Sequence, residues 1–251
     1  MNRDEKLDRS PALAPTIVNL ESCRTVFPSE PTGGTWISAN NLGVCLALIN
    51  WHRVERQPKN DVVSRGEVVR ALAAKHSVDE IADGLAKLRL RKLRPFRLIA
   101  VVPSEKLVTE WRWNLEWLTM RDYKWQPQHW FSSGFDERRA ERVRAKVCAS
   151  FVTGGGLSAV ALTKADDPGS ESARAGVNAA GYNLRWLRQL HRSHLPKRGP
   201  FSICMHRRDA STVSYTEVAV SEKRATMRYK DGPCCSDGAI VTRTISLVRP
   251  L

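Results

Sequence analysis

Apolar and polar residues alternate in short runs along much of the chain, a period-two pattern typical of β-strands. Residues 35–39 and 44–50 are two such runs, and the sequence Asn40-Asn41-Leu42-Gly43 between them suits a turn, because Asn and Gly accept positive φ. A β-hairpin is therefore predicted here. The earlier residues 11–15 contain two prolines and are expected to be extended or turn-like, ahead of the first regular structure.

Two helices are predicted after the hairpin, because capping boxes precede two apolar segments. In each box a Ser is followed three residues later by a Glu: Ser64 and Glu67 precede 68–72, and Ser77 and Glu80 precede 81–85. The second helix carries its apolar residues on one face, which favours packing against a sheet. These residues are Val78, Ile81, Leu85 and Leu88.

The rest of the chain also reads as groups of strands separated by helices. Runs at 96–102, 107–113, 118–123 and 130–132 predict an antiparallel meander, and a helix is predicted at 136–151 with Asp136 as N-cap. An irregular, flexible connection is expected at 154–176, followed by a helix at 183–195. Further strands are predicted at 201–205, 213–220, 225–229 and 245–248. Meanders segregated from helices favour an α+β fold over a doubly wound parallel sheet, within one domain spanning 1–251.

Composition is that of a globular protein with a basic surface. The chain has 251 residues, of which 42% are hydrophobic, and a net charge of +14. Neither a run long enough to span a bilayer nor a signal peptide is evident, so a soluble cytoplasmic protein is expected. Such a charge attracts nucleic acid, anionic lipid or an acidic small molecule. Because the basic residues are dispersed and few aromatics lie among them, a solvated surface is preferred to a nucleic-acid site.

Two local motifs could indicate a metal site or a phosphate loop, but each lacks residues that such a site needs. The six cysteines resemble small buried hydrophobes in a reducing compartment, and the pair Cys234-Cys235 has no second pair at zinc-ligand spacing. No metal and no cofactor are therefore expected. The triplet Gly154-Gly155-Gly156 lacks the following Lys-Ser or Lys-Thr of a phosphate loop.

Several blocks, in order along the chain, resemble one known family. They are Asn2-Arg3-Asp4-Glu5; Gly33-Gly34-Thr35-Trp36-Ile37 with the hairpin ending at Asn50; Pro95-Phe96-Arg97-Leu98; and residues 204–216. These blocks identify the chain as similar to the NRDE family, also called transport-and-Golgi-organisation-2-like proteins. The resemblance implies an N-terminal-nucleophile-hydrolase-like fold. In that fold two antiparallel sheets are sandwiched between helices in four αββα layers.

The resemblance also implies a chemistry. In the related amidohydrolases an N-terminal residue, typically Cys, attacks an amide carbonyl while its own α-amino group acts as base. Here the strand that carries this Cys in similar proteins is not found before Asn2. The chain as written is therefore expected to lack its first strand and its nucleophile and to be inactive. A start codon placed too late is preferred to a true loss of the strand, because unpaired sheet groups would cost much of the domain's stability.

Four residues near the first blocks are candidates by resemblance for supporting roles. Arg3 and Asp4 match groups that orient the nucleophile and amine, with a structural Arg–Asp ion pair as the alternative. Asn50 matches an oxyanion donor, although a turn hydrogen bond is the commoner role of a strand-end Asn. Asn2 is no nucleophile and is placed among the ligand-binding candidates.

Three later residues are further ligand-binding candidates. Ser133 stands where related enzymes often have Asn, and its alternative role is to cap the turn before the next helix. His206 and Arg207 suit an anionic ligand or, more simply, a solvated pair at a sheet edge. The tryptophans, including Trp111 and Trp113, are expected to form a sheet face and not a cofactor cage.

Three functions are compared. The first is an amidohydrolase-like protein of the N-terminal-nucleophile type, acting on C–N amide bonds. The second is a non-enzymatic binder or carrier of a hydrophobic anion such as haem or an acyl thioester, a role that the resemblance suggests and the basic surface suits. Nucleic-acid binding, the third, rests on charge alone. Substrate identity and oligomeric state stay open.

Overall fold

The computed structural model describes residues 1–21, 23–59, 61–152 and 183–248 and contains two antiparallel sheets. The smaller sheet has the strand order β1-β9-β10-β11, and the larger has the order β2-β3-β4-β5-β6-β7-β8. The strands are β1 (Asn2–Lys6), β2 (Leu13–Leu20), β3 (Cys23–Ser29), β4 (Ile37–Asn40), β5 (Cys45–Asn50), β6 (Phe96–Val102), β7 (Leu107–Trp113), β8 (Leu118–Tyr123), β9 (Ala210–Val220), β10 (Arg224–Asp231) and β11 (Ile240–Ser246).

The described α-helices are α1 (Gly66–Leu72), α2 (Val78–Ala86), α3 (Glu137–Val152) and α4 (Leu184–Arg192). Short 3₁₀ turns lie at Leu90–Lys92 and Pro103–Glu105. The α+β class with two antiparallel sheets is thus confirmed. None of the helices in the described ranges has the length and apolarity needed to span a membrane.

Four layers follow from what each sheet face buries. One face of the larger sheet carries Leu46, Leu98 and Trp111, and α1 and α2 pack on it through Val69 and Ile81. The two sheets meet through a second cluster that contains Val26, Ala39, Ala225, Met227 and Ile245. On the far side of the smaller sheet, Arg188 of α4 binds Glu217 of β9. The order of layers is therefore helix, sheet, sheet, helix.

Most of the predicted elements are present. The hairpin is formed by β4 and β5, and the meander by β5 to β8. The side chain of Ser77 accepts a hydrogen bond from the Glu80 N–H, and that of Asp136 accepts one from the Arg139 N–H, as N-caps do. At α1 the prediction is wrong in detail, because Ser64 Oγ accepts from the Gly66 N–H and the helix begins at Gly66.

Other elements differ from the prediction. Strands β1, β2 and β3 were not predicted, and regular structure begins at Asn2. Residues 130–132 and 201–205 are not strands; in the second segment the Cys204 N–H donates to Ser193 O and the Met205 N–H to Thr212 Oγ1, so loop contacts replace a ladder. Helix α4 ends at Arg192 and not at 195, and β11 begins at Ile240, earlier than predicted. The connection predicted at 154–176 lies outside the described residues.

Candidate functional site

A cavity of about 1940 Å³ lies between the larger sheet, strand β1 and helix α4. Its sheet wall follows from the period-two alternation of β5 and β6. Leu46 and Leu98 point to the helical layer, whereas Ala47, Ile49, Ile99 and Val101 line the cavity. The segment 127–134 adds the aromatic residues Trp130 and Phe131 to the lining.

The cavity lining is also strongly charged. Seven cationic side chains face five carboxylates, so the lining has an excess of positive charge. The cations are Arg3, Lys6, Arg9, Arg65, Arg94, Arg144 and Arg207, and the carboxylates are Asp4, Glu5, Asp8, Glu30 and Asp209. An anion is therefore expected to bind beside a cation that no carboxylate already neutralises.

Arg3 is one of the neutralised cations. It is buried on β1, its guanidinium lies 2.9 Å from Glu30 and 3.3 Å from Glu5, and it stacks 4.3 Å from the Trp36 ring. The Arg9 guanidinium binds the same two carboxylates, at 3.0 Å from Glu5 and 2.9 Å from Glu30. Two arginines and two carboxylates form a closed network, so these cations are satisfied within the protein.

Asp4 is held by different partners. Its Oδ1 accepts a hydrogen bond of 2.7 Å from the Thr212 hydroxyl, and its Oδ2 lies 3.4 Å from the Arg144 guanidinium. Arg144 also donates to Ser132 O at 3.2 Å. Arg3 and Asp4, adjacent in the sequence, thus belong to separate networks, and the register of β1 against β9 shifts between them.

Three cations of the lining, Lys6, Arg65 and Arg94, have no carboxylate within ion-pairing distance in the described ranges, and of these only Arg65 is partly buried. Its Nη1 donates to Pro95 O at 3.2 Å, and the residue is only partly exposed. Burial, together with the positive charge of nearby Arg94, lowers the pKa of Arg65 to about 10. The charges of Glu5 and Glu30 oppose this shift, although neither carboxylate pairs with Arg65 directly. At neutral pH Arg65 is therefore a charged guanidinium on the cavity wall with no carboxylate of the described residues in direct contact.

The position of Arg65 is fixed by a close contact between two glycines. A Cβ on Gly66 would lie 2.7 Å from the Thr35 nitrogen and 2.8 Å from Gly34 Cα, so only glycine fits. The Thr35 N–H in turn donates to Gly66 O at 3.2 Å. The start of α1 is thereby held against the segment that precedes β4, and Arg65 is held at the cavity.

The chain terminus contributes another group to the wall. The Met1 α-amino group donates to Thr216 O at 2.6 Å, and burial lowers its pKa to about 5, against the opposing effect of Glu217. It is therefore mainly neutral at pH 7. Burial, and then the charge of this amine, also lowers the pKa of nearby His191.

Two polar atoms beside this amine lack partners among the described residues. They are Asn2 Oδ1 and His191 Nδ1, both buried in residues that line the cavity. Asn2 Nδ2, by contrast, donates to His191 O at 3.0 Å and Ile203 O at 2.9 Å, so the orientation of the amide is set.

The structure brings most of the predicted site residues to this cavity. Asn2, Arg3 and Asp4 on β1, Asn50 at the end of β5, Ser133 and Arg207 all line it. Ser133 Oγ also accepts from the Phe135 N–H at 3.3 Å, and Arg207 binds Asp209 at 2.6 Å. His206 is not among the lining residues; it lies against His194, at 3.2 Å between the Nε2 atoms.

The sequence reasoning missed Arg65, Arg94 and His191. Arg65 is inside the Ser64 capping motif, where an arginine attracts no attention. His191 falls within the helix predicted at 183–195. No local pattern marks Arg65, because its role depends on partial burial without a paired carboxylate among the described residues.

Residues 1–138, more than half of the chain, match the family described as Transport and Golgi organisation 2. The chain belongs to this family. The matched part includes β1 to β8 and the sheet wall of the cavity, whereas α4 and β9 to β11 lie beyond it. None of the curated proteins matches the chain.

Proposed function

We propose that this protein binds a hydrophobic anion in the cavity, with Arg65 as the principal contact to the anionic group. The observation that carries this proposal is the charged, partly buried Arg65 on the cavity wall without a carboxylate partner among the described residues. A partly buried cation with no directly paired carboxylate among the described residues is costly, and an anionic ligand reduces that cost. Arg94, on the same lining, adds a second positive charge.

The remainder of the lining suits an apolar body. Ile49, Ile99 and Val101 present aliphatic surface, and Trp130 and Phe131 present rings. Cavities for drug-sized ligands measure about 300–1,000 Å³. Since this cavity is about 1940 Å³, a larger amphipathic ligand such as haem or an acyl thioester fits its size and chemistry.

Calorimetric titration of the 251-residue protein with palmitoyl-coenzyme A and with haemin tests the proposal. Coenzyme A alone supplies the anionic group without the apolar body and is expected to bind much more weakly. Arg65→Gln is expected to weaken binding about 10- to 150-fold, because a hydrogen bond to a charged group contributes about 1.5–3 kcal/mol.

Arg138→Gln is the matched control, since it removes the same charge from an exposed residue of α3 that does not line the cavity. It is expected to bind both ligands like the unchanged protein. Equal losses in the Arg65 and Arg138 variants would show that only the general basic charge attracts the ligand. Failure of both palmitoyl-coenzyme A and haemin to bind would reject the proposed function.

Amide hydrolysis is the second candidate, and the buried α-amino group favours it. A neutral amine on the wall of a cavity is the kind of base that N-terminal-nucleophile hydrolases use. In those enzymes the same residue also supplies a hydroxyl or thiol nucleophile, which the thioether of Met1 does not, so hydrolysis is placed second to binding.

Incubation with acyl p-nitroanilides, which release a coloured amine on cleavage, tests this second candidate. The 251-residue protein is expected to release no more p-nitroaniline than a heat-denatured sample. Turnover that persists in the folded protein and is lost on acetylation of the α-amine would instead assign hydrolysis to this chain.

A further inference from the structure

A second site lies outside the cavity, where four potential metal ligands from three segments converge. His194 follows α4, Cys204 and His206 lie in the connection to β9, and Cys235 lies in the turn between β10 and β11. One donor atom from each residue lies within 4.8 Å of the other three. Two thiols and two imidazoles form the Cys₂His₂ donor set that structural zinc sites use.

Three of the six ligand separations are close to the edges of a zinc tetrahedron, and the other three are below 4.8 Å. His206 Nε2 lies 3.2 Å from His194 Nε2, 3.6 Å from Cys204 Sγ and 3.4 Å from Cys235 Sγ. With Zn–N near 2.0–2.1 Å and Zn–S near 2.3 Å, the expected separations are about 3.3 Å for two nitrogens and about 3.6 Å for nitrogen and sulfur. The cluster therefore has the size that a bound ion requires.

Hydrogen bonding alone does not account for the same cluster. His206 Nε2 has three polar neighbours at close range, yet a ring nitrogen either donates one hydrogen bond or offers one lone pair. A metal ion at the centre would bind all four atoms at once. A shared metal ion would then explain why the four donor atoms lie so close together.

The backbone holds the ligands in place. The Cys204 N–H donates to Ser193 O at 3.0 Å, and the His206 N–H donates to Gly199 O at 3.2 Å. Lys230 Nζ donates to Pro233 O at 3.1 Å in the turn that carries Cys235. Cys204 is fully buried and the other three ligands are partly exposed, so an ion has a route of entry.

We propose that His194, Cys204, His206 and Cys235 form a structural zinc site that ties the β10–β11 turn to the segment after α4. Four protein ligands complete a tetrahedron and leave no position for substrate, so the role is structural and not catalytic. This site is independent of any ligand in the cavity. The sequence analysis expected no metal because it sought a second cysteine pair, whereas these ligands are separated by 9, 1 and 28 residues.

Protonation and one neighbouring side chain bear on the binding reaction. Zinc binds cysteine as the thiolate, so binding releases protons and weakens as pH falls. The Arg198 guanidinium lies 3.4 Å from His206 Nδ1. When Nε2 binds zinc, Nδ1 carries the proton, so Arg198 is expected to move away.

Metal analysis of the reduced 251-residue protein tests the proposal. After treatment with chelator, reloading with Zn²⁺ and dialysis, one zinc per chain is expected. Co²⁺ in its place should give thiolate-to-metal charge transfer and the intense visible bands of a tetrahedral ion. Cys235→Ser and His194→Asn, at partly exposed positions, should lose stoichiometric metal, whereas Cys234→Ser, one residue from the site, should keep it.

A second measurement needs no variant and so does not depend on folding of the mutants. Zinc should slow alkylation of the partly exposed Cys235 in the unchanged protein and leave that of the partly exposed Cys45 unaltered. It should also raise the melting temperature, and chelation should reverse this. Absence of bound zinc after reduction, equal metal content in the Cys234 and Cys235 variants, or uniform alkylation would overturn the assignment.

Discussion

Arg65→Gln should make the ligand-free protein more stable while it weakens anion binding. The folded protein lowers the pKa of Arg65 from 12.5 to about 10. This shift corresponds to a free energy of roughly 3 kcal/mol by which the fold disfavours the charged guanidinium. Partial exposure reduces this value, and loss of the hydrogen bond to Pro95 O costs about 1 kcal/mol. The net expectation is a free energy of unfolding raised by about 1–2 kcal/mol.

Urea denaturation followed by circular dichroism, without ligand, measures this change. Arg188→Gln is the matched control, because Arg188 makes two hydrogen bonds, of 2.8 and 2.7 Å, to the buried Glu217. That substitution should lower the free energy of unfolding by about 1–3 kcal/mol, since a buried carboxylate loses its partner. If Arg65→Gln destabilises the protein as much as Arg188→Gln does, Arg65 has a structural partner and the reasoning is refuted.

Further predictions concern the packing around the cavity. Glu110 is fully buried and accepts hydrogen bonds from Arg97, Arg112 and Tyr123, so Glu110→Ala should destabilise the protein by about 3–5 kcal/mol in urea titrations. Burial raises the pKa of Glu110, but these hydrogen bonds outweigh it and hold the pKa below 4.5. Its contribution is therefore present above pH 4.5 and is lost as pH falls further, so the difference in melting temperature between the unchanged protein and Glu110→Gln should shrink between pH 7 and pH 3. Gly66→Ala would drive a Cβ into the backbone of 34–35 and should cost about 1–3 kcal/mol, whereas Gly199→Ala, with only a distant contact of 4.0 Å, should be nearly neutral in the same assay.

Elements with a strong local signal could be predicted from the sequence. The Asn-Asn-Leu-Gly turn, the Ser77 cap and the apolar stripe of α2 depend on neighbouring residues and are found in the structure. Strand β1 could not be predicted from pattern, because its residues are mostly charged. It exists through pairing with β9, more than 200 residues away, and through the ion pairs of Arg3.

Proline also concealed strand β2. Pro15 cannot donate a ladder hydrogen bond, but β2 is an edge strand, and its register shifts between Leu13 and Thr16, where Pro15 lies. Conversely, Ile203, Cys204 and Met205 are buried in a loop, so their apolar character reflects burial and not strand formation. Patterns of hydrophobicity report burial, and the hydrogen-bond partners decide the secondary structure.

The candidate site could be predicted only in part. The resemblance directed attention to Asn2, Arg3, Asp4 and Asn50, which the fold brings to one cavity. Arg65 could not be found in this way, because it is distinguished by partial burial together with the lack of a carboxylate partner in the described structure. Ion pairing between distant segments cannot be read from local sequence.

Photolabelling with a diazirine derivative of palmitic acid tests the central claim most directly. The proposal predicts that the label, mapped by mass spectrometry, lies in peptides that line the cavity, chiefly 94–101 and 127–134, and that unlabelled palmitate or the Arg65→Gln substitution reduces it. Labelling confined to peptides on the outer helical face, such as 78–86, or unaffected by competitor and substitution, would contradict the account.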